Sequence, residues 1–129
     1  MKTSFFLSAF CLVALSIFLA WTKYRVYNHD ISITVSENGD TYKFSAYYNV
    51  ENTRKVVRYI NNCIKPNSLA KSENDYFDAS TSLADHTQFH IKEYPGELKI
   101  ELDKRKNPTA SYYRIKEMCE GIKGLLTEK

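Results

Sequence analysis

From Ile31 onward the apolar positions fall into two spacings that alternate along the chain. Ile31, Ile33 and Val35 alternate with Ser32, Thr34 and Ser36, the period of a strand buried on one face. Asn38-Gly39 follows, a pair that favours tight hairpins because both residues tolerate positive φ. Phe44, Ala46 and Tyr48 then continue the buried face. The period next lengthens: Val56, Tyr59, Ile60 and Cys63 share one side of a helix that Asn49 or Asn52 can cap and Pro66 ends.

The same order returns in the second half. Phe77 to Leu83 reads as an extra strand, with a turn near Asp85-His86. Phe89 and Ile91 alternate with polar neighbours, and Pro95-Gly96 turns the chain. Leu98, Ile100 and Leu102 return, with Lys99, Glu101 and Asp103 facing the other way. Asn107 is placed as a cap and Pro108 as the first helical residue. The helix that follows carries Tyr112, Ile115, Cys119, Ile122 and Leu126 on its apolar face. Met118 and Leu125 lie beside that face, while Gly121 and Gly124 weaken the last turns.

A shift of 56 residues (Cys63 to Cys119) lays the halves on one another. It also carries Thr53 onto Thr109 and Arg58 onto Arg114. The expectation is an α+β fold: a two-layer α/β sandwich with a mainly antiparallel sheet of four to five strands and a duplicated ββα unit. One sheet face is apolar and one polar, so both helices must cover the same face. Residues 30–129 form this single small domain, with a polar loop at 66–75 between the halves.

Residues 1–22 belong to a different class. No charge falls between Lys2 and Lys23. At about 1.5 Å per residue, roughly 20 apolar residues cross a bilayer core of about 30 Å. A retained transmembrane anchor and a cleaved signal peptide both fit. Cleavage after Ala20 would put the bulky Phe18 at the −3 position, which favours retention. Trp21, Tyr24 and Tyr27 follow, as interfacial aromatics do. Residues 23–29 then read as a short juxtamembrane linker. Lys2 flanks one end and Lys23 and Arg25 the other, so charge does not orient the segment. The expected location is the inner membrane with an outward-facing domain, or a secreted or periplasmic form if the leader is removed.

Composition narrows the function classes. The net charge of +3 is too small to call for nucleic acid, and none is expected as a partner. Basic stretches at Lys104-Arg105-Lys106 and at Arg54, Lys55, Arg58 and Lys65 read as solvated faces, or as contacts for lipid headgroups or a partner protein. The chain has no Cys-x-x-Cys, no phosphate-binding Gly-rich loop and no nucleophile-elbow motif, so no cofactor is expected. The leading expectation is a non-catalytic envelope protein, held by its leader, that binds another protein or an envelope component.

Three sets of residues are candidates for that work. The polar sheet face should carry Lys43, Tyr47, His90, Lys92, Lys99 and Glu101, with Ser45 among them. Mixed charge around an aromatic suits a protein or a glycan. Cys63 and Cys119 hold equivalent places on the two helices. An exported domain would permit a disulfide between them if the helices are neighbours; the alternative is two small buried hydrophobes. His29, Asp85 and His86 supply imidazole and carboxylate at strand ends, which defines the alternative of a metal-assisted hydrolase. An immunity-type inhibitor of an envelope-acting toxin is the other alternative, resting on small size, a leader and no catalytic set.

Overall fold

Six antiparallel strands lie in the order β1-β2-β3-β6-β5-β4, and two helices cover one face. The computed structural model describes the backbone of residues 23–28 and all atoms of 31–69 and 77–128. The leader expected at 1–22, His29, and residues 70–76, which include most of the expected loop 66–75, lie outside the described residues. Among the described residues, no helix is long and apolar enough to cross a membrane. The strands are β1 (Lys23–Asn28), β2 (Ile31–Glu37), β3 (Thr41–Tyr47), β4 (Phe77–Ser82), β5 (Gln88–Tyr94) and β6 (Glu97–Asp103). The helices are α1 (Thr53–Cys63) and α2 (Thr109–Thr127), each preceded by one turn of 3-10 helix.

The fold is the expected two-layer α+β sandwich, with one strand more than expected. Lys23–Asn28, read as a linker, is β1 and pairs antiparallel with Ile31 to Ser36 of β2. The repeat is therefore βββα rather than ββα. The inner hairpins obey the same 56-residue shift: Val35↔Phe44 between β2 and β3 becomes Ile91↔Ile100 between β5 and β6, while the outer β1–β2 and β4–β5 registers differ by one residue. Phe44 and Ile100 are themselves partners across the central β3–β6 ladder. The two repeats thus meet about a pseudo-two-fold axis through that pair. Two backbone bonds repeat the relation: Tyr48 N–H donates to the Gly96 carbonyl at 3.0 Å, and Lys104 N–H to the Asp40 carbonyl at 2.8 Å.

The core lies where the periodicity places it. Ile33, Phe44, Ala46, Ile91, Leu98, Ile100 and Leu102 point from the sheet toward Val56 and Ile60 of α1 and Ile115, Cys119 and Ile122 of α2. Each is at most 1 % exposed. Burying a side chain of this size contributes roughly 1.5–3 kcal/mol, so the helix layer is held mainly by this apolar face. The ring of Tyr59 crosses from α1 onto α2 at Gly121, where a Cβ would lie 1.7 Å from its hydroxyl. Gly121 is therefore a contact point between the helices, not only a weak place in one of them.

Turn chemistry differs from expectation in three places. Gly39 does not adopt positive φ; instead the Asn38 side chain accepts from Asp40 N–H (2.8 Å) and Thr41 N–H (2.9 Å), which closes the hairpin. Asn107 does not cap α2. Its amide pairs with the Gln88 backbone in both directions, at 2.8 and 2.9 Å, and so fastens the entrance of α2 to the start of β5. Pro108 takes the cap position itself, in an extended conformation. Pro95-Gly96 does turn the chain, with Gly96 at φ +80°.

Candidate functional site

The face away from the helices is polar across β2, β3, β6, β5 and β4. Pleating sends alternate residues there, and β3, β6, β5 and β4 contribute successive side chains along shared rungs. One rung runs Lys43, Glu101, His90, Ser80; the next runs Ser45, Lys99, Lys92, Asp78. All six residues expected on this face are on it: Lys43, Tyr47, His90, Lys92, Lys99 and Glu101. Five of them, all but Tyr47, line one depression of about 470 Å³, whose floor includes the backbone of Phe44 and Ile100, residues whose side chains lie on the helix side. Tyr47, 46 % exposed, stands at its margin, with the Lys99 ammonium 5.9 Å from its ring centre.

The charge on this face is unevenly compensated. Lys92 and Lys99 are direct cross-strand partners, an arrangement of like charges that costs a few tenths of a kcal/mol or more. Each leans toward an acid on its other side: Lys92 Nζ is 3.9 Å from Asp78 Oδ2, and Lys99 Nζ is 3.5 Å from Glu97 Oε1. Tyr47, ahead of Glu97, raises the Lys99 pKa above its ordinary value. Lys43 and Glu101 face each other across the β3–β6 ladder but form no ion pair with any described residue.

His90 is fixed at both ring nitrogens. Its Nε2 lies 2.6 Å from Asp78 Oδ1 and its Nδ1 lies 3.2 Å from Ser80 Oγ. Spacing along the chain does not announce this trio, because it depends on the β4–β5 register. Serine, histidine and carboxylate are the components of a nucleophilic triad. Here they lie exposed on an open sheet, so water competes for every bond. The contacts hold the imidazole at the rim of the depression. A second hollow of about 330 Å³ shares His90 and Glu101 and extends toward Ser82, Lys106 and Asn107.

The other candidates lie elsewhere. Asp85 is held by Thr87, whose N–H donates at 3.1 Å, and by Arg114 Nη1 at 2.7 Å. These hydrogen bonds, Thr87 foremost, lower its pKa to about 2. His86 sits in the same turn at φ +69°, apart from His90 on the open face. Among the described residues no three His, Cys, Asp or Glu side chains gather as a metal site. Cys63 and Cys119 are free thiols, one of the two arrangements read from the sequence. Each has a tyrosine hydroxyl as neighbour, Tyr59 for Cys63 and Tyr42 for Cys119. Burial raises both thiol pKa values, that of Cys119 far more.

No family model, curated protein or solved structure matches this chain.

Proposed function

We propose that this protein is a non-catalytic envelope protein whose small domain binds an envelope component or another protein through its open sheet face. The supporting observation is that one depression gathers Lys43, His90, Lys92, Lys99 and Glu101 from three strands. Two of those lysines oppose each other without a shared counter-ion. The helix layer fits the role less well, because most of its apolar residues are already used in the core and Tyr113 alone among its large ones stands exposed. The location rests on the uncharged run at residues 3–22, which would hold the domain at the inner membrane or export it.

Site-specific photo-crosslinking in cells tests this reading. A crosslinker at Ser45 or Tyr47 is expected to capture a partner, and one at Arg58 on the helix layer is not. Capture should disappear with Lys43→Glu or Lys99→Glu while the amide spectrum stays folded. Capture from Arg58 alone, or capture indifferent to those reversals, would discard the open face as the binding surface. Fractionation of the same cells should place the protein with membranes or outside the cytoplasm.

A further inference from the structure

We infer that the depression over Phe44 and Ile100 takes an anionic carbohydrate, a hydroxyl-bearing sugar ring carrying one carboxylate or phosphate. This rests on the open face being the binding surface and names what it binds. Three ammonium groups, those of Lys43, Lys92 and Lys99, border the depression against one carboxylate, Glu101. An anion seated between Lys92 and Lys99 would convert their cross-strand repulsion into two attractions, since each interacts more strongly with a shared counter-charge than with its long contact to Asp78 or Glu97.

A bare anion does not satisfy the whole site. Glu101 forms no ion pair with any described residue and would repel phosphate or sulfate a few ångströms away. A sugar hydroxyl, in contrast, donates to Glu101 while the acid group of the same ring meets the lysines. Ser45 offers a further hydroxyl on the adjacent strand, and the exposed ring of Tyr47 gives an apolar surface for a sugar face. A protein partner fits less well, because the centre of a stable protein interface is depleted in lysine and glutamate, and these residues form the centre here. The depression is open to solvent, and its volume of about 470 Å³ has room for one or two sugar rings.

The test is a titration of the isotope-labelled full chain in detergent micelles with galacturonate, galactose and inorganic phosphate. Galacturonate is expected to move the amide signals of residues 43–45 and 99–101. Galactose and phosphate should bind at least about tenfold more weakly, since each lacks one of the two interactions. Lys99→Gln and Lys92→Gln should each weaken galacturonate binding by about tenfold, with α2 signals unchanged as evidence of folding. Raising the salt concentration should weaken it further. Phosphate binding as well as galacturonate would overturn the inference in favour of a plain anion patch. No shift with galacturonate, or shifts away from these strands, would also overturn it. Crosslinking from Ser45 that persists in that case would leave the open face a binding surface for something else. Galacturonate binding without any crosslinks would remove the cellular reading alone.

Discussion

Lys104 Nζ lies 2.6 Å from Glu37 Oε2 and 2.7 Å from the Asn38 carbonyl, so one side chain ties the turn before α2 to the tip of the β2–β3 hairpin. The Tyr112 hydroxyl donates to the same Glu37 oxygen, and the Lys104 ammonium sits 4.7 Å from the Tyr112 ring centre. Hairpin, turn and helix are thereby joined across the junction of the two repeats. Burial alone would raise the Glu37 pKa; the bonds from Lys104 and Tyr112 outweigh it and leave the pKa lowered. A carboxyl with a depressed folded pKa stabilises the fold above its unfolded value and loses that contribution as pH falls. Stability should therefore decline below about pH 4.5, the ordinary glutamate value. Lys104→Met is expected to cost about 1–2 kcal/mol at pH 7 and to flatten part of that decline. Urea unfolding at pH 7 and pH 3.5 measures both; an unchanged pH slope in the variant would contradict the assignment.

The two helix glycines should respond in opposite directions. Nothing lies within 4 Å of a Cβ added at Gly124, so Gly124→Ala should stabilise by about 0.5–1 kcal/mol through helix propensity. At Gly121 the same methyl would meet the Tyr59 ring, with Cζ at 2.5 Å. Displacing that ring costs roughly 1–3 kcal/mol, which outweighs the propensity gain. Thermal melts of the pair should bracket the parent, and Gly121→Ala/Tyr59→Ala should recover part of the difference.

Gly96→Ala should be among the costliest single substitutions at the surface. Its φ of +80° is left-handed, and its Cβ would lie 2.9 Å from the Tyr48 carbonyl oxygen. The turn also carries two bonds between the repeats, Gly96 N–H to Thr53 Oγ1 at 2.9 Å and Tyr48 N–H to the Gly96 carbonyl. A loss of about 2 kcal/mol or more is expected from backbone conformation and lost bonding together. Calorimetry that finds Gly96→Ala as stable as the parent would mean that the turn is built differently.

Thiol labelling under non-reducing conditions checks the cysteines. Cys119 is buried, and both thiols have raised pKa values, so neither should react quickly at pH 7 in the folded protein. Cys63, partly exposed, should react before Cys119. Unfolding should expose both to label. A Cys63–Cys119 bridge found by peptide mapping would contradict the two free thiols.

Most of the architecture was legible because it depends on period. Alternation marked β2, β3, β5 and β6, and the threefold–fourfold spacing from Val56 to Ile60 and from Ile115 to Ile122 marked the helices. The 56-residue shift was visible in Cys63 and Cys119, and the registers of the inner hairpins reproduce it. β1 was obscured by its surroundings: Tyr24 and Tyr27 beside a long apolar run look like membrane-interface aromatics, although Lys23–Asn28 also alternates as a strand does. Asn107 showed why caps are hard to place from sequence. Its amide offers the same groups as a peptide, and here a strand backbone used them in place of a helix end. On the open face the residue types were legible, since alternation assigns them. The clamp of Asp78 and Ser80 on His90 was not, because only the pairing of β4 with β5 brings residues ten and twelve positions apart into contact.

The pseudo-two-fold axis has a further meaning for the depression. Lys43 and Lys99 are one position written twice, and they approach the axis from opposite sides. Their neighbours have diverged: Ser45 corresponds to Glu101, Thr34 to His90 and Ser36 to Lys92. A duplicated chain could have kept two identical sites, one per repeat. This one instead builds a single composite site from two unequal half-sites, so neither repeat alone carries it. Such a site has a direction, and its ligand must be polar at one end and anionic at the other to lie in it one way round.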